Sequence, residues 1–193
     1  MKKDWDQVEN SSFRKSLTGK INRANGALFE SWITASCAYY EEKGMACIVK
    51  TPEPMKPIKS LGQGRFVACF TKKGQPDYKG VLCDGTGIMF EAKHTDSDRI
   101  NQNVITDAQW EILDIYERFG AHCYVMVSLR LAKFYRIPWK IWKQMKELFG
   151  HKFMTEQELE SYRLPERQCT ILILEGVGLK DEDTENRAGT EAE

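Results

Sequence analysis

Between residues 45 and 93 the chain breaks into short β-rich runs, 45–50, 65–70, 78–82 and 87–93, cut apart by proline and glycine clusters at 51–57 and 74–76. Runs of this length, spaced by turn residues, predict a meander or mixed sheet. Helical spacing flanks them. From Asn25, a good N-cap residue, to about Glu42, the residues Ile33, Cys37 and Tyr40 share one stripe, and Glu30 falls on it. After a polar linker at 94–105, Thr106-Asp107-Ala108-Gln109 reads as a capping box opening a helix that runs to Phe119 and stops at Gly120. Strands are expected at 121–128 and 132–137. Pro138 then stands at the first turn of an amphipathic helix, 139–149, followed by a short helix at 155–162 and a last buried strand at 169–174. The expected class is α/β.

At 193 residues and 41% hydrophobic composition, the chain can bury one domain's core. Lys plus Arg (28) balance Asp plus Glu (28), so any affinity for nucleic acid must come from uneven distribution of charge. The distribution is uneven. Residues 1–24 hold six Lys/Arg against three acids and no clear apolar period, which predicts a flexible basic arm. Residues 175–193 hold seven acids against Lys180 and Arg187, so that end is net −5 and residues 1–174 are net +5. The expected organisation is an arm at 1–24, a folded domain at 25–175 and a disordered acidic tail at 176–193. Six cysteines form no C-x-x-C, nothing at the N-terminus has a signal-peptide hydrophobic stretch, and no apolar run approaches the roughly 20 residues that span a bilayer. These features predict a reduced cytoplasmic protein that does not enter membranes.

The chemistry concentrates in Asp77-Tyr78-Lys79-Gly80 and Ile88-Met89-Phe90-Glu91-Ala92-Lys93. In a strand, Glu91 and Lys93 point to the same side about 7 Å apart, with Phe90 and Ala92 on the other. A hairpin through residues 83–86 brings Asp77 beside Glu91, so that two carboxylates and an ammonium converge. Such a trio suits metal-assisted phosphodiester hydrolysis: hard carboxylate oxygens hold Mg²⁺ or Mn²⁺, and a lysine stabilises attacking hydroxide or developing phosphorane charge. The same residues also read as a turn aspartate after Pro76 and an ordinary ion pair on a solvated strand. Residues 50–93 carry eight Lys/Arg, among them Lys56, Lys59, Arg65, Lys72 and Lys73, against four acids, which marks a candidate phosphate-binding face or a scattered solvated surface. His94, His122 and His151 lack zinc-ligand spacing, and Trp139 and Trp142 read as core or dimer-interface residues.

The string Gln75-Pro76-Asp77-Tyr78-Lys79-Gly80 with Ile88-Met89-Phe90-Glu91-Ala92-Lys93-His94-Thr95 resembles the core signature of RecU-type Holliday junction resolvases, in the PD-(D/E)xK nuclease superfamily. Upstream, Asn25-Gly26-Ala27-Leu28-Phe29-Glu30 is similar to the family's first-helix motif and Lys50-Thr51-Pro52-Glu53-Pro54 to its strand-then-proline segment; downstream, Ala108-Gln109-Trp110 is similar to the helix after the FEAK strand. The likeness covers roughly residues 22–175 in order. It implies a restriction-endonuclease-like fold, with a mixed central sheet flanked by helices. It further implies Asp77 and Glu91 as metal ligands, Lys93 as transition-state stabiliser, Glu30 as a further active-site acid and Gln109 as a metal-site or water-positioning group. For Glu30, a favourable acid near a helix N-terminus is the other reading; for Gln109, the capping box explains the residue by itself. Two departures stand out. Gln75 and Pro76 occupy positions where the family has small hydroxyl residues, and residues 53–66, which carry Gly62 and Gly64, look shorter than the long stalk the family projects; they read as a loop between two strands that projects Lys56, Lys59 and Arg65 toward phosphates, or as a simple β-connection.

The expected function is that of a homodimeric, Mg²⁺-dependent endonuclease that nicks opposed strands of a four-way junction, because two nicks related by a two-fold axis need two sites and a C2 dimer supplies them. A nuclease acting on flaps or linear duplex is the alternative within the chemistry, and a non-catalytic DNA-binding accessory is the alternative outside it.

Overall fold

The computed structural model describes residues 5–71, 74–167 and 170–177, with side chains from residue 16 onward except that of Phe70. Lys72, Lys73, Cys169 and the acidic residues beyond Val177 lie outside the described residues. Helix α1 spans Trp5–Glu42. The strands β1 (Ala46–Lys50), β2 (Met55–Gly62), β3 (Arg65–Phe70), β4 (Tyr78–Leu82), β5 (Gly87–Thr95) and β6 (Arg99–Asn101) follow, then helix α2 (Asp107–Arg118). The chain continues through β7 (His122–Leu129), β8 (Lys133–Pro138), α3 (Trp139–Lys143), α4 (Met145–Phe149), β9 (Phe153–Thr155), α5 (Glu156–Leu159), β10 (Glu166–Arg167) and β11 (Thr170–Ile171).

The central sheet has the order β1-β4-β5-β7-β8. Its β5–β7 pair is parallel and its other pairs are antiparallel. It is therefore a mixed sheet, with α2 supplying the crossover that a parallel pair requires. Alternation along the strands sorts two cores. Ile88 and Phe90 of β5, with Tyr78, Ile48 and Met126, pack under the α1 stripe Phe29, Ile33, Cys37 and Tyr40. Val125, Val127, Tyr135 and Ile137 face the other way and pack with Leu113 of α2 and with Trp139, Trp142 and Met145. Helices thus cover both faces of the sheet, as the sequence predicts for the α/β class. At Gly80 a Cβ atom would lie 2.1 Å from the Cys47 carbonyl oxygen, so β1 and β4 can approach this closely only around glycine.

Several expectations are corrected. The first helix starts at Trp5 rather than Asn25, so residues 5–24, read as an arm, are helical. That stretch has no proline to stop a helix, and extending a helix past a packed turn needs no new nucleus. Asn25 is no cap: its amide donates to Asp96 Oδ2 at 3.3 Å. The domain also reaches past residue 175, since Val177 is buried against the α1 core. Within residues 53–66, Met55–Gly62 form β2 and Arg65 opens β3, so the segment is an exposed hairpin rather than a loop or a simple connection, and its turn runs through Gly62, Gln63 and Gly64, all at positive φ. The polar linker contains β6, which pairs with β9. The helix expected at 139–149 breaks at Gln144 (φ −94, ψ 17). The buried residues Trp139, Trp142 and Met145 recur every three positions, a spacing that drifts by about 60° per step around a continuous 3.6-residue helix. The last expected strand is reduced to β11, paired with β10 outside the central sheet.

Candidate active site

The β4–β5 register pairs Tyr78 with Phe90. One step further along the same ladder sets Asp77 across from Glu91, so the carboxylates meet because the hairpin closes where the sequence predicts. Asp77 Oδ2 accepts the Ala92 backbone N–H at 3.0 Å, which fixes that carboxylate's orientation. Lys93 shares the face of Glu91, and its Nζ lies 3.1 Å from Glu91 Oε2 and 4.0 Å from Asp77 Oδ2. The side chain of Glu91 is wholly buried; those of Asp77 and Lys93 are about one-fifth exposed.

Gln109 reaches this cluster from α2. Its Nε2 donates to Glu91 Oε2 at 2.6 Å, while its Oε1 accepts the Thr106 N–H at 3.1 Å as the return half of the capping box. One amide therefore both caps the helix and holds the buried acid. Glu91 Oε1, by contrast, is buried with no hydrogen-bond partner. Burial, and next the adjacent Asp77 carboxylate, push the Glu91 pKa up to about 8, against the lowering effect of Lys93. Two carboxyl groups face one ammonium here, and the raised pKa keeps Glu91 protonated at neutral pH, so the metal-free cluster carries no excess charge.

Glu30 is placed differently. Its carboxylate pairs with Lys50 Nζ at 2.6 Å, whereas Lys93 pairs with Glu91 and Asp77. It does share with Asp77 the lining of a cavity of about 160 Å³, together with Lys50, Thr51 and Gln75. Tyr78 anchors this arrangement: it stacks on Phe90 at 5.0 Å and its hydroxyl donates to the Glu30 carbonyl at 2.7 Å, pinning α1 beside the start of β4. Neither Lys50 nor Tyr78 was singled out for this role, because nothing in the local sequence shows which helix residue a strand 20 or 48 positions later will meet. A larger groove of about 570 Å³ at the N-terminus of α2 is lined by Asp107 and Lys152 among amides and Trp110, without paired acids.

Among the described residues no three His, Cys, Asp or Glu side chains gather as a metal cluster. Two carboxylates are nevertheless a sufficient protein contribution for Mg²⁺, which keeps several waters and takes the remaining oxygens from phosphate. The orphaned Glu91 oxygen beside Asp77 fits such a hard cation. His94 does not compete for it, since its ring nitrogens engage Ser128 Oγ and Asp96 Oδ1. Lys56, Lys59 and Arg65 sit on the exposed hairpin with Ile58, Leu61 and Phe66, all more than half exposed. Trp139 and Trp142 are wholly buried, and Cys37, Cys47, Cys69, Cys83 and Cys123 are free thiols. No helix among the described residues is long and apolar enough to cross a membrane.

Residues 24–175 match the RecU family, described as Recombination protein U. The chain is 37% identical over 91 residues to the Holliday junction resolvase RecU of Streptococcus sanguinis (strain SK36), an alignment covering 44% of this chain and 45% of that protein. It is 36% identical over 88 residues to the Holliday junction resolvase RecU of Streptococcus thermophilus (strain CNRZ 1066), covering 42% of this chain and 44% of that protein. The chain thus spans less than half the length of these curated relatives. Among solved structures, Hjc, a Holliday junction resolvase from Archaeoglobus fulgidus, superimposes with a TM-score of 0.43 at 16% identity, covering 72% of this chain and 89% of that one.

Proposed function

Because this chain belongs to the RecU family, we propose that it is a divalent-metal-dependent endonuclease that resolves four-way DNA junctions by paired nicks. The observation that carries the reading is the convergence of Asp77 and Glu91 beside Lys93, with one buried Glu91 oxygen left without a partner. A divalent cation that displaced the Glu91 proton would be met by two carboxylates, one of them with an oxygen the protein leaves without a partner.

Asp77 and Glu91 are the protein ligands for Mg²⁺, with Mn²⁺ as a substitute. A cation held by these two carboxylates would supply Lewis-acid polarisation of a phosphate oxygen and a lowered pKa for a bound water. Gln109 holds Glu91 in place from α2, and the Ala92 N–H holds Asp77. Lys93, a fixed ammonium within reach of both acids, places positive charge where the pentacovalent phosphorane develops. Glu30, which lines the same cavity as Asp77, orients Lys50 toward the incoming backbone. The exposed cations of the β2–β3 hairpin contact phosphates. Paired nicks require two copies of this site, hence a C2 homodimer, and a recombination substrate places the enzyme with the DNA in the cytoplasm.

The test is incubation of labelled four-way junction, flap and linear duplex with Mg²⁺ and with EDTA. Paired nicks in the junction with Mg²⁺ and none with EDTA are expected. Preferential cutting of flap or duplex would reassign the substrate, and cutting in EDTA would remove the metal from the mechanism.

A further inference from the structure

Thr51 follows the last residue of β1, where its N–H donates to the Asp77 carbonyl at 2.8 Å. It lines the 160 Å³ cavity shared by Glu30, Gln75 and Asp77, yet its Oγ1 is buried without a hydrogen-bond partner. The neighbouring polar side chains are committed: Glu30 to Lys50 and the Gln75 carbonyl oxygen to Lys79 Nζ at 2.6 Å. A buried hydroxyl with no partner is destabilising, and valine would fill the same shape without that cost. The penalty is absent if the hydroxyl has a partner when the site is loaded. Oγ1 is closed to solvent as it stands, and a turn about χ1 carries it to another of the three staggered positions on Cβ without moving the backbone.

We propose that Thr51 is a positioning residue of the metal site: its hydroxyl hydrogen-bonds an oxygen in the coordination shell of the cation held at Asp77, a water in the free protein and a phosphate oxygen on DNA. The inference rests on the metal reading of Asp77 and Glu91 given above. The cavity has room for such a shell, since a water occupies about 30 Å³ of liquid volume. The role is that of an outer partner that fixes the orientation of what the cation binds, and loss of such a partner typically weakens metal affinity 10- to 100-fold.

The test titrates the full chain with Mn²⁺ alone, by calorimetry and by electron paramagnetic resonance of the free ion, for the wild type, Thr51→Val and Thr51→Ser. Thr51→Val should bind Mn²⁺ about tenfold more weakly, while Thr51→Ser stays close to the wild type. In EDTA, Thr51→Val should melt no lower than the wild type, because the orphaned hydroxyl is gone. Equal Mn²⁺ affinity in Thr51→Val and wild type overturns the inference and leaves a plain buried threonine. If Thr51→Val fails to fold, Thr51→Ala against Thr51→Ser decides: weaker binding by alanine alone supports the role, and equal binding overturns it. A wild type that binds no Mn²⁺ at all instead refutes the underlying metal assignment, so the two failures are distinguishable.

Discussion

Glu91 is wholly buried, with one oxygen bonded to Gln109 and Lys93 and the other bonded to nothing. Its pKa, raised from an ordinary 4.5 to about 8, ties the site to stability. Between pH 4.5 and 8 the folded metal-free protein keeps this proton while the unfolded chain has released it. Stability therefore falls as pH rises through that window, is unaffected below it where both states are protonated, and levels off above it. Glu91→Gln cannot titrate, so in EDTA the melting temperature of the variant relative to wild type should climb from pH 5 to pH 8; a constant difference would refute the raised pKa. The same variant, like Asp77→Asn, should lose cleavage while junction binding, resting on distant cations, stays nearly unchanged. Full activity in either would remove the metal assignment. Lys93→Ala should lower kcat on the order of 10²-fold or more with little change in DNA affinity. If only affinity falls, Lys93 is a phosphate contact and not a transition-state group.

The β4–β5 hairpin was legible in advance because alternation and a turn at residues 83–86 left one register that buries Ile88 and Phe90. The Thr106–Gln109 box was legible because capping chemistry is local, though its second bond, to Glu91, depends on how the helix docks. Other contacts were set by tertiary packing. Glu30 lies on the buried stripe of α1, yet its partner is Lys50, chosen by the docking of α1 over β1. The β2–β3 hairpin was hidden by Pro52, Pro54 and Pro57, which read as loop, although an edge strand tolerates proline. Its form sharpens an expectation: Lys56, Lys59 and Arg65 project with exposed Ile58, Leu61 and Phe66 on one narrow arm. Replacing the three cations by alanine should weaken four-way-junction binding much more than linear-duplex binding at one fixed salt concentration, while any DNA still bound is cut with Mg²⁺. Equal losses on both DNAs would make the hairpin a nonspecific contact.

At the scale of the whole molecule, the two cores divide labour: α1 and its sheet face carry Glu30 and steady Asp77 through Tyr78, while α2 and the opposite face carry Gln109 to Glu91. The active cluster sits where the two meet, so its geometry depends on both faces staying packed. Charge is divided as well. Residues 180–193 hold six acids against Lys180 and Arg187, so a chain ending at Leu179 is net +4 where the full chain is neutral. DNA is a polyanion whose attraction reaches about one Debye length, roughly 10 Å at 0.1 M salt and 30 Å at 0.01 M. An acidic segment on the same chain lowers the local potential that phosphates meet without touching the metal site. Truncation after Leu179 leaves Val177, buried in the α1 core, in place. The truncated protein should therefore melt close to the full chain, bind junction DNA more tightly at low salt, and lose that advantage as ionic strength rises. Its Mg²⁺-dependent rate on saturating DNA should match that of the full chain. Tighter binding that persists at high salt would point to a packed contact made by residues 180–193, and a lower melting temperature would show that they support the fold.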